Sequence, residues 1–268
     1  MSGVTGILVT LAAVYGLLTA FMYLVQDKML FFPSPSNAAI ESRYQKYAVS
    51  FDTGEVNLHG WFIPASDLAQ PAIVFYGGNG QELSTSIDSI RALGDYHYVF
   101  VNYRGYGRSL GRPTEKDLKS DALLILDSLQ TQGKISLSNT IIMGRSLGTG
   151  VAVHVAANIK SKGLILISPF NSIEAIASDL YFYLPVKWLF RHPFRSIDYV
   201  AKISVPTLII KAENDQIVPK KYTDKLIEAW QSPLEVVELE GTNHNYIETD
   251  QYFDVTNRFI QGQQSPAM

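Results

Sequence analysis

A serine between two glycines follows an apolar run near the middle of the chain. Residues 140–143 lead into a Gly-x-Ser-x-Gly pattern whose serine is Ser146. Such a serine occupies a sharp strand-to-helix turn that exposes its hydroxyl at the end of a sheet. Gly144 and Gly148 suit this turn, because a Cβ there would collide with nearby backbone. We predict that Ser146 is a nucleophile, and the alternative is an ordinary glycine-flanked turn.

A serine hydroxyl is a weak nucleophile unless a base accepts its proton and a third group orients that base. In doubly wound sheets, ligands bind at the carboxyl ends of the strands. Asp215 follows a predicted strand over 206–211, and His244 follows one over 234–239. We therefore predict His244 as the base and Asp215 as its orienting carboxylate. Glu213 competes for the second role, but Asp215 lies deeper in its loop.

The predicted elements around these residues indicate an α/β fold. Apolar strand-like runs alternate with helical stretches after residue 70, which favours a mainly parallel sheet with helices on both faces. Two earlier strands, over 47–51 and 56–63, are joined by a turn and predict an antiparallel edge. The apolar strand over 71–76 runs into a glycine-rich loop over 77–80. That loop could supply a backbone N–H group for an oxyanion.

The first thirty residues predict a membrane anchor. The 22 residues from 4 to 25 carry no charge and are long enough to span the ~30 Å hydrocarbon layer. A cleaved signal peptide is disfavoured because no basic residue precedes the run and no small-x-small site ends it. We predict a retained single-pass anchor over 1–28 and a connector over 29–44. Lys28, Arg43 and Lys46 follow the span, which favours a cytoplasmic position for the globular part by the positive-inside tendency.

Composition excludes several classes of function. The chain has 22 Lys and Arg against 25 Asp and Glu, a net charge of -3, so it lacks the basic excess of a nucleic-acid-binding protein. It has no cysteine, which excludes disulfides, thiol catalysis and cysteine-based metal sites. The predicted serine chemistry needs no metal and no organic cofactor. We expect no nucleic-acid partner.

About 38 residues separate the predicted strand over 163–167 from Pro206. They predict a small helical lid over about 170–203, within a domain spanning 45–262 that is followed by a tail over 263–268. Residues 180–190 are strongly apolar and aromatic. As a lid they would line an acyl pocket or approach the bilayer. The alternative is a pair of well-packed helices.

These motifs together resemble the α/β-hydrolase superfamily over roughly residues 45–262. The resemblance rests on Gly77-Gly78-Asn79-Gly80, the loop over 102–109, the pattern around Ser146, Asp215-x-x-Val218-Pro219 and Asn243-His244-Asn245. With its anchor, the chain resembles single-pass membrane-anchored serine hydrolases, a group that includes protein depalmitoylases and lysophospholipid hydrolases. The resemblance implies an oxyanion hole made by the backbone N–H groups of Leu147 and Asn79, with Gly78 as the alternative to Asn79.

The expected activity is hydrolysis of carboxylic esters or thioesters through an acyl-enzyme on Ser146. The anchor favours a small lipid-like acyl substrate, with an acylated protein as a further candidate, and makes the membrane a partner. One alternative is a serine peptidase of the same fold. Another is a non-catalytic, membrane-tethered interaction protein on a hydrolase scaffold, although such scaffolds usually lack a triad residue.

Overall fold

One eight-stranded sheet carries the fold in the computed structural model, which describes residues 2–263. Its strands are β1 (Ala48–Asp52), β2 (Asn57–Ile63), β3 (Ala72–Tyr76), β4 (His97–Val101), β5 (Thr140–Arg145), β6 (Gly163–Ile167), β7 (Thr207–Ala212) and β8 (Leu234–Leu239). They lie in the order β1-β2-β4-β3-β5-β6-β7-β8. β2 is antiparallel to β1 and β4, and the other neighbours are parallel. The predicted mainly parallel sheet with an antiparallel N-terminal edge is confirmed.

Helices cover both faces of the sheet. They are α1 (Ser2–Leu30), α2 (Ala38–Arg43), α3 (Ile87–Arg91), α4 (Glu115–Thr131), α5 (Leu147–Ala156), α6 (Ile173–Leu180), α7 (Val186–Leu189), α8 (Lys220–Glu228) and α9 (Asp250–Gly262). α4, α5 and α8 contribute to the hydrophobic cluster on one face, and α3 and α9 to the cluster on the other. β3, β4 and β6 are buried along their whole length, because a parallel sheet covered on both sides has no solvent-facing side.

The N-terminal segment differs from the prediction. α1 continues to Leu30, two residues beyond the expected end of the anchor at 28. The expected connector over 29–44 contains α2 and packs on the domain: Phe31 is buried, and Pro35 pairs with Gly107 in a parallel bridge. Apolar side chains on this segment explain the difference, since they gain by burial against the sheet domain. Of the expected tail over 263–268, only Gln263 lies within the described residues.

Within residues 2–263, α1 is the one helix long and apolar enough to span a bilayer. This fits the predicted membrane anchor by length and composition. The helix is almost wholly exposed along its first two-thirds, as expected for a surface that faces lipid instead of a protein core.

His154 lies in the last turn of α5, and its ring packs against the ring of Tyr199. Burial lowers its pKa to about 4, and the positive charges of Lys119 and Lys202 act in the same direction. The unfolded chain, with an ordinary histidine pKa of about 6.5, therefore takes up this proton first as the pH falls. Stability from the neutral imidazole is complete above pH ~6.5 and is lost as the pH falls toward 4.

We expect His154→Gln to flatten the pH dependence of stability in this interval. The measurement is thermal unfolding of the detergent-solubilised full chain at pH 7.5 and pH 5. The melting temperature of the wild type should fall further between pH 7.5 and pH 5 than that of the variant. Equal losses in both proteins would contradict the burial of a neutral imidazole.

Candidate active site

Ser146 lies between β5 and α5 in a backbone conformation that few non-glycine residues adopt. Its φ is 49° and its ψ is -120°, and such strain persists only where the surrounding structure holds it. A Cβ on Gly148 would lie 2.1 Å from the carbonyl oxygen of Tyr76, and one on Gly144 would lie 2.6 Å from that of Gly148. The two glycines are therefore required by direct backbone contacts. This is the strand–turn–helix geometry predicted from the sequence.

The loops after β7 and β8 bring an aspartate and a histidine to Ser146. His244 Nε2 lies 2.9 Å from Ser146 Oγ, and its Nδ1 lies 2.9 and 2.8 Å from the two carboxylate oxygens of Asp215. The side chains of His244 and Asp215 are only 10% and 4% exposed. The three predicted residues form one continuous hydrogen-bonded chain. In this arrangement Nδ1 donates to the carboxylate, which leaves Nε2 free to accept the serine proton.

The carboxylate of Asp215 is held in its charged form. Burial alone would raise its pKa, but the hydrogen bonds from His244 and from the Val218 backbone N–H outweigh burial and lower the pKa below its usual value. The Val218 bond measures 2.7 Å, and Ile217 N–H donates to the same oxygen at 3.0 Å. A carboxylate that remains charged can orient a neutral imidazole and stabilise the imidazolium that follows.

Glu213, the competing carboxylate, makes no hydrogen bond to His244 in the described part of the chain. Its Oε2 accepts a hydrogen bond from the Gly241 backbone N–H at 2.8 Å, so it ties the β7 loop to the β8 loop. On the other side, Arg145 Nη2 donates to the His244 carbonyl oxygen at 2.9 Å. These two contacts join the loop that carries His244 to the ends of β5 and β7.

The candidate oxyanion donors differ in their availability. The Gly78 N–H donates to Gln81 Oε1 at 2.7 Å, so it is engaged within its own loop. The backbone N–H groups of Asn79 and Leu147 make no hydrogen bond to another residue in the described part of the chain. A Cβ built on Gly78 would lie 3.5 Å from Ser146 Cβ, which shows how closely this loop approaches the serine. The geometry favours Asn79 over Gly78 as partner of Leu147.

The side chain of Asn79 makes contacts that the sequence analysis missed. Its Nδ2 donates to the Leu30 carbonyl oxygen, and its Oδ1 accepts from Phe32 N–H at 3.0 Å and from the Tyr106 hydroxyl at 2.8 Å. It thus joins the end of α1 to the loop beside Ser146. An asparagine amid loop glycines was the only signal, and a sequence pattern does not reveal its distant partners.

A polar cavity of about 420 Å³ opens above the serine. Ser146, His244, Asn79, Glu82 and Ser34 are among its lining residues. Residues 170–203 do not line it. Ser34, Pro35 and Asn37, in the segment after α1, do line it. The lid expected over about 170–203, which would line an acyl pocket or approach the bilayer, stays a prediction. Residues 173–190 pack instead toward α1.

Comparisons with known proteins concern the sequence and the fold. Residues 119–254 match the family model described as serine hydrolase. The chain is 32% identical to human alpha/beta hydrolase domain-containing protein 17B, over 74% of this chain and 69% of the relative. It is 33% identical to the zebrafish (Danio rerio) lysophosphatidylserine lipase ABHD12, over 62% of this chain and 49% of the relative. A solved esterase from Pyrococcus furiosus superposes with a TM-score of 0.69 at 14% identity, covering 88% of this chain and 98% of that structure.

The last of these similarities concerns the fold alone, whereas the family model and the human relative concern the sequence. The model spans the Gly-x-Ser-x-Gly turn and the loops after β7 and β8, which together bring the serine, aspartate and histidine into contact. The chain is a serine hydrolase of the α/β-hydrolase superfamily.

Proposed function

We propose that the protein hydrolyses carboxylic esters or thioesters of lipid-like acyl substrates, with Ser146, His244 and Asp215 as its catalytic residues. The observation that carries the proposal is the unbroken chain from Ser146 Oγ through the imidazole to the buried carboxylate. Hydrogen bonds of this length put a base within reach of the nucleophile's proton.

The reaction has two halves. Ser146 Oγ attacks the substrate carbonyl while His244 Nε2 takes the hydroxyl proton, and the tetrahedral oxyanion accepts hydrogen bonds from the N–H groups of Leu147 and Asn79. The imidazolium then protonates the departing alcohol or thiol, which leaves an acyl-enzyme. Water, deprotonated by His244, attacks the acyl carbonyl, and the proton returns to Ser146 as the acid departs. These steps use only side chains, backbone amides and water.

Two observations support a lipid-like substrate. One relative is named a lysophosphatidylserine lipase, and α1 has the length and composition of a membrane anchor. We infer that α1 anchors the protein in a membrane, that residues 45–262 form the hydrolase domain, and that 29–44 joins them as a packed segment. Lys28 beyond the apolar run favours the cytoplasmic side for this domain. An acylated protein held at that surface is a second form of the same substrate chemistry.

The test is covalent labelling by a fluorophosphonate probe with a short alkyl group. Detergent-solubilised wild type should be labelled, whereas Ser146→Ala should not be labelled at all and His244→Ala should be labelled far more slowly. Hydrolysis of short acyl esters should follow the same order. A folded wild type that neither reacts with the probe nor cleaves esters would overturn the proposal and favour a membrane-tethered interaction protein. Cleavage of peptides but not of esters would favour a peptidase.

A further inference from the structure

An apolar groove lies between the anchor helix and the segment that follows β6. It has a volume of about 230 Å³. One wall is the last third of α1, including Met22 and Leu30, and the other is formed by α6, α7 and their connection, including Ala177, Leu180 and Leu184. We call this second wall the hairpin, residues 173–190. Almost all of the groove's lining is hydrocarbon, so a ligand with a polar body would lose hydration there without compensation.

The hairpin reaches far along the anchor helix. The Tyr15 hydroxyl donates to the Tyr183 carbonyl oxygen at 2.8 Å. Tyr15 is ten residues before Val25, the end of the uncharged run, which corresponds to about 15 Å along a helix. This is half of the ~30 Å hydrocarbon layer. With α1 spanning the bilayer, the tip of the hairpin therefore lies at the depth of the lipid chains, and so does the part of the groove lined by Thr19, Met22 and Tyr23.

The outer surface of the hairpin is apolar, as a position within the lipid leaflet requires. Leu180, Phe182 and Trp188 are 65%, 83% and 87% exposed. Three large apolar side chains this exposed within one short segment are unusual on a surface that faces water. Within a lipid leaflet they would be covered by acyl chains, and the free energy of that transfer would stabilise the insertion.

Polar contacts hold the base of the hairpin against the end of α1. Arg191 N–H donates to Gln26 Oε1 at 2.8 Å, and Gln26 Nε2 donates to the Leu189 carbonyl oxygen at 3.2 Å. The Arg191 guanidinium lies 3.2 Å from the carboxylate of Asp27, which also contacts His192 at 3.0 Å. The Arg191 guanidinium and the Asp27 carboxylate belong at the membrane surface. The part of the groove lined by Thr19, Met22 and Tyr23 therefore lies on their lipid side, and the part lined by Met29 and Leu30 lies toward the hydrolase domain.

The inner end of the groove adjoins the catalytic cavity. Leu30 lines the groove, and its carbonyl oxygen accepts a hydrogen bond from the side chain of Asn79. Asn79 in turn lines the cavity that contains Ser146. A single residue-to-residue contact therefore separates the apolar groove from the polar site where an ester carbonyl would be attacked.

We propose that this groove binds the acyl chain of the substrate, which enters sideways from the lipid leaflet while its ester group reaches Ser146. The inference rests on the proposed function and deepens it, because it assigns the chain of the substrate to the space between α1 and the hairpin. The membrane helix thus forms one wall of the substrate site. The enzyme should accordingly prefer long-chain substrates that are dissolved in a bilayer.

The test compares two fluorophosphonate probes that differ only in their alkyl chain, ethyl and hexadecyl, on the full chain in lipid vesicles. Ala177→Phe places a ring in the groove and should slow labelling by the hexadecyl probe about tenfold, the scale of a steric change in an apolar pocket. The rate with the ethyl probe should not change. Ala69→Phe is the matched control, since Ala69 is exposed in the loop before β3, and both of its rates should equal those of the wild type.

A second variant guards against a folding defect. Leu180→Ala shortens an exposed side chain at the groove without adding bulk, and it should slow the hexadecyl probe severalfold while the ethyl rate again stays constant. Wild-type hexadecyl labelling in both variants would overturn the acyl groove, and so would equal slowing of the two probes. Absence of ethyl labelling in the wild type would instead overturn the proposed function itself, so the two failures can be told apart.

Discussion

Asp215→Asn should lower kcat for ester hydrolysis by about 10⁴-fold, the loss seen when a triad aspartate becomes its amide. Both oxygens of Asp215 accept from His244 Nδ1. The amide of asparagine offers a donor toward the ring, which favours the tautomer that carries its proton on Nε2. In that tautomer Nε2 cannot accept the proton of Ser146. The measurement is kcat on a short acyl ester, in detergent, against the wild type.

The chain offers a matched control two residues earlier. Glu213→Gln makes the same carboxylate-to-amide change, and the amide oxygen can still accept from the Gly241 N–H. We expect its kcat to lie within about threefold of the wild-type value, because changes outside such special features usually have small effects. Comparable losses in the two variants would show that the carboxylate of Asp215 has no special role in orienting the histidine.

Gly148→Ala should prevent the protein from folding, or lower its free energy of unfolding by ~4 kcal/mol or more, the range of severe core lesions. The added Cβ would lie 2.1 Å from the Tyr76 carbonyl oxygen and 2.5 Å from that of Gly77. Both are backbone atoms of β3 and its following loop, so no side-chain rotation relieves the overlap. The measurements are the yield of detergent-soluble protein and its melting temperature.

Gly262→Ala is the control for this substitution. Gly262 ends α9, and an added Cβ meets nothing within 4 Å. Alanine is the better helix former, so the melting temperature should stay constant or rise slightly. A Gly148→Ala protein that folds with a wild-type melting temperature would contradict the close approach of α5 to β3.

The sequence by itself determined the fold class and the positions along the chain of the serine, the aspartate and the histidine. Strands such as β3 and β6 are continuous apolar runs because both of their faces are buried, and this pattern can be recognised in the sequence. Ser146, Asp215 and His244 were predictable because each follows a strand. Parallel strands bring their carboxyl ends to the same edge of a sheet, and the hydrogen-bonded contact among these three residues follows from that rule.

Element boundaries were less predictable. The stretch after the glycine-rich loop is a 3₁₀ turn over Leu83–Ser86 followed by the short α3, and no capping side chain marks the start of that helix. The start of α4 does have a local signal, since Thr114 caps it by accepting from the Asp117 N–H at 3.1 Å. Where a capping side chain marks the boundary, the local sequence is sufficient. Where packing against the sheet sets the boundary, it is not.

Only the tertiary structure decided how α1 relates to the hydrolase domain. Local sequence describes α1 as an independent anchor, yet Asn79 contacts the backbone of Leu30 and Phe32, and Tyr15 contacts the hairpin at Tyr183. These pairs are separated by between 47 and 168 residues. Hydrogen bonds at such separations leave no periodicity in the chain, because they depend on where the completed sheet places each loop. For the same reason, the sequence located the serine, whereas the tertiary structure revealed the groove beside it.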